Sequence, residues 1–202
     1  MTVGHPASRG VRMGPVVSLE QRDEVRRAAR AIAESGRLVH GDPAKVQVID
    51  ADPQRGAFLD TILISADPEA QAPHEVEPFG PVASVLGYRD ATHAAELLAR
   101  GRGSLAASLV SNDVSWTTGV LAEAAPWHGR LHLLDCADME QTTGHGSPLS
   151  ALKHGGPGRA GGGSEMAGIR GVLDLMQRTA IQASPVLLAA LRNRQHSGPP
   201  AT

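Results

Sequence analysis

Glu77 and Phe79 stand two residues apart in Glu77-Pro78-Phe79-Gly80-Pro81-Val82, at the entrance to the apolar run 83–88. In an extended segment, residues i and i+2 share a face, so one carboxylate and one flat ring can address the same ligand. Gly80 tolerates torsions that other residues resist, and Pro81 fixes φ and removes a donor. The hexapeptide thus offers a short, stiff ledge carrying an acceptor pair and an aromatic surface. Taken alone, these six residues read more simply as a buried Phe beside a solvated Glu ahead of a strand.

Other side chains with reactive potential lack a partner of the required kind. The single cysteine, Cys136, lies in Leu134-Asp135-Cys136-Ala137-Asp138; flanking carboxylates disfavour a thiolate. His132 and His145 are near in sequence, but nothing fixes a Cys/His pair, and Cys136 is rejected as a nucleophile. The nine histidines show no metal-ligand spacing, so no metal is assigned. His128, after Trp127, reads as a structural or surface residue. The glycine-rich stretch 144–163 is interleaved with His145, Pro148, Lys153, His154 and Arg159, unlike a flexible linker. A loop of that length is usually functional or disordered. It lacks the Gly-Lys-Ser/Thr ending of a phosphate-binding loop.

The elements that must position these residues follow from capping and periodicity. Residues 1–17 form an irregular lead-in broken by Gly4, Pro6, Gly10, Gly14 and Pro15. Ser18-Leu19-Glu20-Gln21 matches a capping box in which Gln21 reaches back to the Ser18 amide. The helix it starts runs to about Ser35, with Val25, Ala28, Ala29, Ile32 and Ala33 on one face. Gly36 is expected at its C′ position. Arg22, Asp23, Arg26, Arg27 and Arg30 form a charged face, read as solvated. Strands are expected at 38–40, 46–49, 58–65 and 82–88, then a helix capped by Asp90 and running to Arg100. A buried strand at 104–111, a helix at 114–124 and a strand at 129–134 follow. This alternation marks a parallel α/β sheet. A helix at 165–176, a short strand at 179–182 and a helix from Ser184-Pro185 to about Arg192 complete the chain; 195–202 is expected to be disordered.

Composition narrows the classes. A length of 202 residues with 41% hydrophobic but only 2% aromatic residues permits a core of Ala, Val and Leu. A net charge of −2 without a basic run gives no nucleic-acid footprint. One cysteine excludes an internal disulfide and suits a reducing cytoplasm. No apolar run is long enough to cross a bilayer. The expectation is a soluble cytoplasmic protein.

Glu77-Pro78-Phe79-Gly80-Pro81 resembles the Glu-x-Phe-Gly-Pro signature of the aldehyde dehydrogenase superfamily, and 144–163 lies where that family has its Pro-Phe-Gly-Gly loop. The likeness extends to one branch, the aldehyde dehydrogenase halves of bifunctional phenylacetate-degradation proteins (oxepin-CoA hydrolase / semialdehyde dehydrogenases). It is carried by Gly10-Val11-Arg12-Met13-Gly14, Ala125-Pro126-Trp127-His128-Gly129-Arg130, Thr143-Gly144-His145-Gly146-Ser147-Pro148-Leu149, the stretch 154–163, and Met176-Gln177-Arg178-Thr179-Ala180. It covers about 11–185.

The resemblance implies an α/β fold: a parallel-sheet catalytic domain of aldehyde dehydrogenase type, incomplete, without the early strands and the nucleotide-binding domain. The domains implied are the lead-in 1–17, a partial catalytic domain 18–183 ending in an oligomerisation-type strand that pairs with a neighbouring subunit, and a helix with disordered tail at 184–202. The cofactor implied is NADP or NAD, with Glu77 on the nicotinamide ribose hydroxyls and Phe79 beside the nicotinamide. His154, Gly155 and Gly156 match the loop that helps wall the substrate entrance. The parent reaction is oxidation of a CoA-linked semialdehyde. The family's cysteine nucleophile and general base lie upstream of the signature and have no counterpart here, so no catalytic residue is assigned and the chain is expected to be inactive alone. A homologous chain or complementary half is the expected partner, with neither nucleic acid nor membrane. One other reading remains, a non-catalytic interaction module that docks on a full-length relative; a hydrolase built on Cys136 or Ser147 is disfavoured, since it needs a base and an oxyanion hole that the sequence does not locate.

Overall fold

The computed structural model describes residues 1–142, 155–161 and 176–195, and the chain divides into two compact units, Met1–Gly87 and Tyr88–Thr202. The expected helix at 165–176 (save Met176), His145, Ser147, His154 and the tail 196–202 lie outside the described residues.

The first unit is built around α1 (Leu19–Ala33) and its N-cap Ser18, whose hydroxyl accepts the Gln21 N–H at 3.1 Å. The second half of the capping box differs from the sequence expectation. Gln21 Oε1 accepts the Val17 N–H at 3.0 Å, one residue before the cap, and not the Ser18 amide. Val25, Ala29 and Ile32, spaced by one helical turn, are buried. Ala29 and Ile32 join Ile62, Ile64 and Ala66 in the core of this unit. The helix ends at Ala33, and Gly36 opens a strand where a terminating glycine was expected.

That strand, β2 (Gly36–His40), pairs antiparallel with β4 (Ile62–Ala66), and β4 pairs in parallel with β5 (Val82–Val85). The connection between β4 and β5 holds one helical turn, α2 (Ala72–Glu75), which the periodicity did not signal. The lead-in contains its own strand: β1 (Val3–Gly4) pairs in parallel with β3 (Val48–Ile49), and Val3 is buried.

In the second unit, Asp90 caps α3 (Ala91–Arg100) and Asp113 caps α4 (Val114–Ala124), each accepting an N–H three residues on. β6 (Ser104–Val110), β7 (His128–Leu134) and β8 (Ala180–Gln182) form a parallel sheet in that order. A last helix, α5 (Pro185–Gln195), follows. Leu109, Val120, Leu121, Ala124, Leu131, Leu133 and Leu187 make the core.

The α/β class with parallel strands agrees with the sequence reading, in two separate three-stranded sheets. The buried strand is β7, not β6 as its apolar composition suggested. Among the described residues β6 lies at a sheet edge and leaves Leu105 55% and Val110 64% exposed. β8 finds its in-chain partner in β7, with Arg130, Leu131 and His132 opposite Ala180, Ile181 and Gln182.

Candidate functional site

The ledge is a turn held from three directions through its backbone. Gly80 N–H donates to Pro78 O and Val82 N–H to Gly80 O, both at 2.8 Å, and Ile62 N–H of β4 donates to Pro81 O at 2.9 Å. From the helix, Gln21 Nε2 donates to Phe79 O at 2.7 Å. A Cβ on Gly80 would stand 2.7 Å from Val25 Cγ2, so glycine is what lets α1 pass this close to the turn.

Held this way, Glu77 and Phe79 are both exposed, and the Phe79 ring is 70% accessible. The simpler reading of a buried Phe does not hold. What the fold anchors here is backbone, the Phe79 carbonyl on Gln21 and the Pro81 carbonyl on β4, and the ring stands outside those ties. Glu77, Pro78 and Phe79 line a hollow of about 290 Å³ whose opposite wall is Gln21, Glu24 and Arg27 of α1. A carboxylate and an exposed ring on one rim suit a ligand that carries vicinal hydroxyls and a flat ring.

Gly155 and Gly156 belong to the second unit. They pack against the amino-terminal ends of β6 and β7: a Cβ on Gly129 would collide with Gly155 O, and one on Gly156 with Ser104 O. Arg159 N–H donates to Arg102 O at 3.1 Å, and Gly156 N–H to Gly161 O at 3.0 Å. The segment is thus backbone laid on backbone.

Cys136, at the carboxyl end of β7, is exposed. Asn112 Nδ2–H donates to its Sγ at 3.0 Å, and Asn112 Oδ1 accepts its N–H at 2.9 Å. His132 Nε2 meets Thr142 Oγ1 at 2.9 Å. His128 is buried, with Nδ1 on Ala124 O at 2.8 Å, a structural tie at the end of α4. Beside Cys136, Asp135 accepts the Ser184 hydroxyl at 2.7 Å and the N–H groups of Ala137 and Asp138. These donors, the serine hydroxyl foremost, hold its carboxyl below the usual value. Among the described residues no three His, Cys, Asp or Glu gather as metal ligands, and no helix is long and apolar enough to cross a membrane.

Sequence reasoning missed the Gln21–Phe79 bond, although Ser18 and Gln21 had marked the helix start. It also took Arg22 and Arg26 for solvated surface, whereas their side chains are 16% and 21% exposed and line a cavity. Both residues lie one turn apart on the flank of α1 that faces the turn following β2.

Residues 1–167 match the family model described as "Aldehyde dehydrogenase family". The chain belongs to the aldehyde dehydrogenase family. Among relatives, this aldehyde dehydrogenase chain is 42% identical over 181 residues to "Protein MaoC" of Klebsiella aerogenes, covering 89% of itself and 52% of that protein. It is 36% identical over 157 residues to a 3,4-dehydroadipyl-CoA semialdehyde dehydrogenase of Aromatoleum evansii, covering 77% of itself and 30% of the relative. The chain thus spans about half the length, or less, of these relatives. In fold it is similar to a betaine aldehyde dehydrogenase of Staphylococcus aureus solved with NAD+, at TM-score 0.65 and 24% identity, covering 80% of this chain and 30% of that one.

Proposed function

We propose that this chain supplies the nicotinamide-ribose ledge and part of the substrate entrance of an aldehyde dehydrogenase that oxidises a CoA-linked semialdehyde with NAD or NADP in the cytoplasm. The observation that carries the reading is the joint exposure of Glu77 and Phe79 on one backbone-pinned turn. In this reading Glu77 accepts the ribose hydroxyls and Phe79 packs beside the nicotinamide, which when bound accepts hydride from the substrate. His154, Gly155 and Gly156 border the substrate entrance by the family resemblance. The CoA-linked substrate is supported by the name of the Aromatoleum relative, and a phenylacetate-type pathway by the motifs shared with that branch.

Oxidation of an aldehyde by this family's chemistry needs a thiolate to attack the carbonyl and a base to activate the hydrolytic water. No cysteine precedes Glu77 in these 202 residues, and among the described residues the side-chain partner of Cys136 is Asn112. Nucleophile and base therefore come from a companion segment or chain.

The test is NAD+- and NADP+-dependent oxidation of a CoA-linked semialdehyde by the chain alone, then with the upstream half of a close relative added. Activity is expected only in the mixture. Glu77→Ala in the mixture should raise the nucleotide KM about tenfold or more, the value of a hydrogen bond to a charged group. Activity of the chain alone would overturn the external nucleophile. Silence in both would favour a second reading, a non-catalytic docking module, which the exposed Leu105 and Val110 on the β6 edge support.

A further inference from the structure

A cavity of about 870 Å³ on the first unit shares no lining residue with the hollow at the ledge, and cationic side chains face it from two sides. Arg22 and Arg26 enter it from α1, one turn apart. Lys45 enters from the turn after β2, and His40 from the end of that strand.

The anionic groups present are already engaged. Asp42 Oδ1 accepts the Ala44 N–H at 2.8 Å. Asp60 accepts the Thr61 N–H at 2.8 Å and the Asp42 N–H at 3.2 Å. Both carboxylates thus pin the loops that shape the cavity. Asp23 is shared by the two guanidinium groups, 2.9 Å from Arg22 Nε and 3.7 Å from Arg26 Nη1, and is itself 57% exposed. One solvated carboxylate therefore serves two half-buried arginines. Arg26 Nη2 reaches only Ala44 O at 3.5 Å, and its buried Nε has no hydrogen-bond partner among the described residues. Arg22, Arg26 and Lys45 line the cavity against Asp42 and Asp60, and with Asp23 counted the formal charges balance, so it is the placement of the guanidinium donors and not an excess of charge that distinguishes the site.

Partly desolvated guanidinium groups with unused donors favour planar, bidentate oxyanions, phosphate above all. The volume lies in the range of small-molecule sites, roughly 300–1,000 Å³, larger than a lone phosphate needs. The geometry points to a phosphate-binding site, built on Arg22, Arg26 and Lys45, for a nucleotide-sized phosphorylated ligand. Two sources carry that chemistry: the nucleotide portion of coenzyme A, or a free nucleotide or inorganic polyphosphate. Only the first rests on the CoA-linked substrate proposed above.

The experiment is calorimetric titration of the full chain with CoA, adenosine 3′,5′-bisphosphate and pyrophosphate at low and raised salt, with phosphorus NMR of each ligand as a second readout. Arg26→Gln and Arg22→Gln should each weaken binding about tenfold or more. Arg26→Lys should retain part of the affinity, and Glu77→Gln should leave it unchanged. Binding should weaken with salt. CoA binding well above both the bisphosphate and pyrophosphate identifies the CoA source, while the bisphosphate or pyrophosphate binding as well as CoA identifies a free nucleotide or polyphosphate and leaves the site in place. Pyrophosphate binding without CoA binding contradicts the CoA-linked substrate and not the site. Absence of binding by all three ligands, or affinity unchanged in both glutamine variants, overturns the site and says nothing against the Glu77–Phe79 ledge. Melting curves of each variant establish that it is folded.

Discussion

Gln21 and Phe79 are 58 positions apart, and the Gln21 Nε2–H group donates to the Phe79 carbonyl at 2.7 Å. The same amide accepts the Val17 N–H through Oε1 at 3.0 Å. One side chain thus joins the start of α1, the lead-in and the ledge, and it grips the backbone of Phe79 while the ring stands in solvent. Its removal should loosen the ledge before it loosens the unit. The chain has two phenylalanines, buried Phe58 and exposed Phe79, so fluorophenylalanine labelling gives one fluorine signal for each. Gln21→Ala should narrow and shift the Phe79 signal, leave that of Phe58 in place, and cost about 1–3 kcal/mol for the two lost bonds. Gln21→Glu keeps the acceptor for Val17 and loses the donor to Phe79, so it should move the Phe79 signal with less loss in melting temperature. Equal changes at both rings would refute a local role.

Asp135 and Ser184 tie the end of β7 to the start of α5, and their bond has a pH signature. The Ser184 hydroxyl is the largest cause of the lowered Asp135 carboxyl, aided by the Asp138 and Ala137 N–H groups. A carboxyl lowered on folding contributes stability that is present in full above its ordinary value near 3.8 and is lost as pH falls through the folded value. Ser184→Ala returns that value toward the ordinary one. The gap in melting temperature between wild type and variant should therefore be widest at neutral pH and shrink below about pH 4. Because Ser184 Oγ also accepts the Leu187 N–H at 3.4 Å, a constant part of the gap should persist in acid. A gap that does not vary with pH would refute the link to Asp135.

Capping residues and periodicity made most of the elements legible. Ser18 and Asp90 each start the helix that their spacing predicted, and the alternation of helices with strands gave the α/β class. The failures share a physical cause. Whether an apolar strand is buried depends on its neighbours in the sheet, so β6 and β7 could not be ranked from composition. The inward turn of Arg22 and Arg26 depends on a loop that lies about 20 residues further on and that a helical wheel does not contain. The ledge was recognisable as a motif, but its exposure was not, because the anchor is a glutamine on a distant helix.

Gly129 tests the tight seam at the amino ends of the strands. A methyl group there would fall on the carbonyl of Gly155, and backbone cannot yield as a flexible side chain does. Gly129→Ala should destabilise the second unit by about 1–3 kcal/mol, as overpacking does, and calorimetry should show it. An unchanged melting temperature would mean that the 155–161 segment does not sit on β7 in solution.

The β6 edge predicts poor solution behaviour of the chain on its own. Leu105 and Val110 are exposed on a strand that has a partner on one side only among the described residues, an arrangement that invites edge-to-edge pairing. Leu105→Lys with Val110→Lys should reduce association without lowering the melting temperature, as read by light scattering and calorimetry. A monodisperse wild-type chain that melts cooperatively would refute this.

β8 reaches the sheet last. It lies beside β7 in parallel, so during synthesis β7 is extruded with one flank bare and must wait for some fifty further residues, a few seconds at about 5–20 residues per second. Leu187, which completes the core of this unit, arrives later still. Throughout that interval the nascent chain offers an open strand to any holdase or sister chain within reach, and the order of emergence from the ribosome makes the stretch 180–187 a folding clasp for β7 and the core beside it.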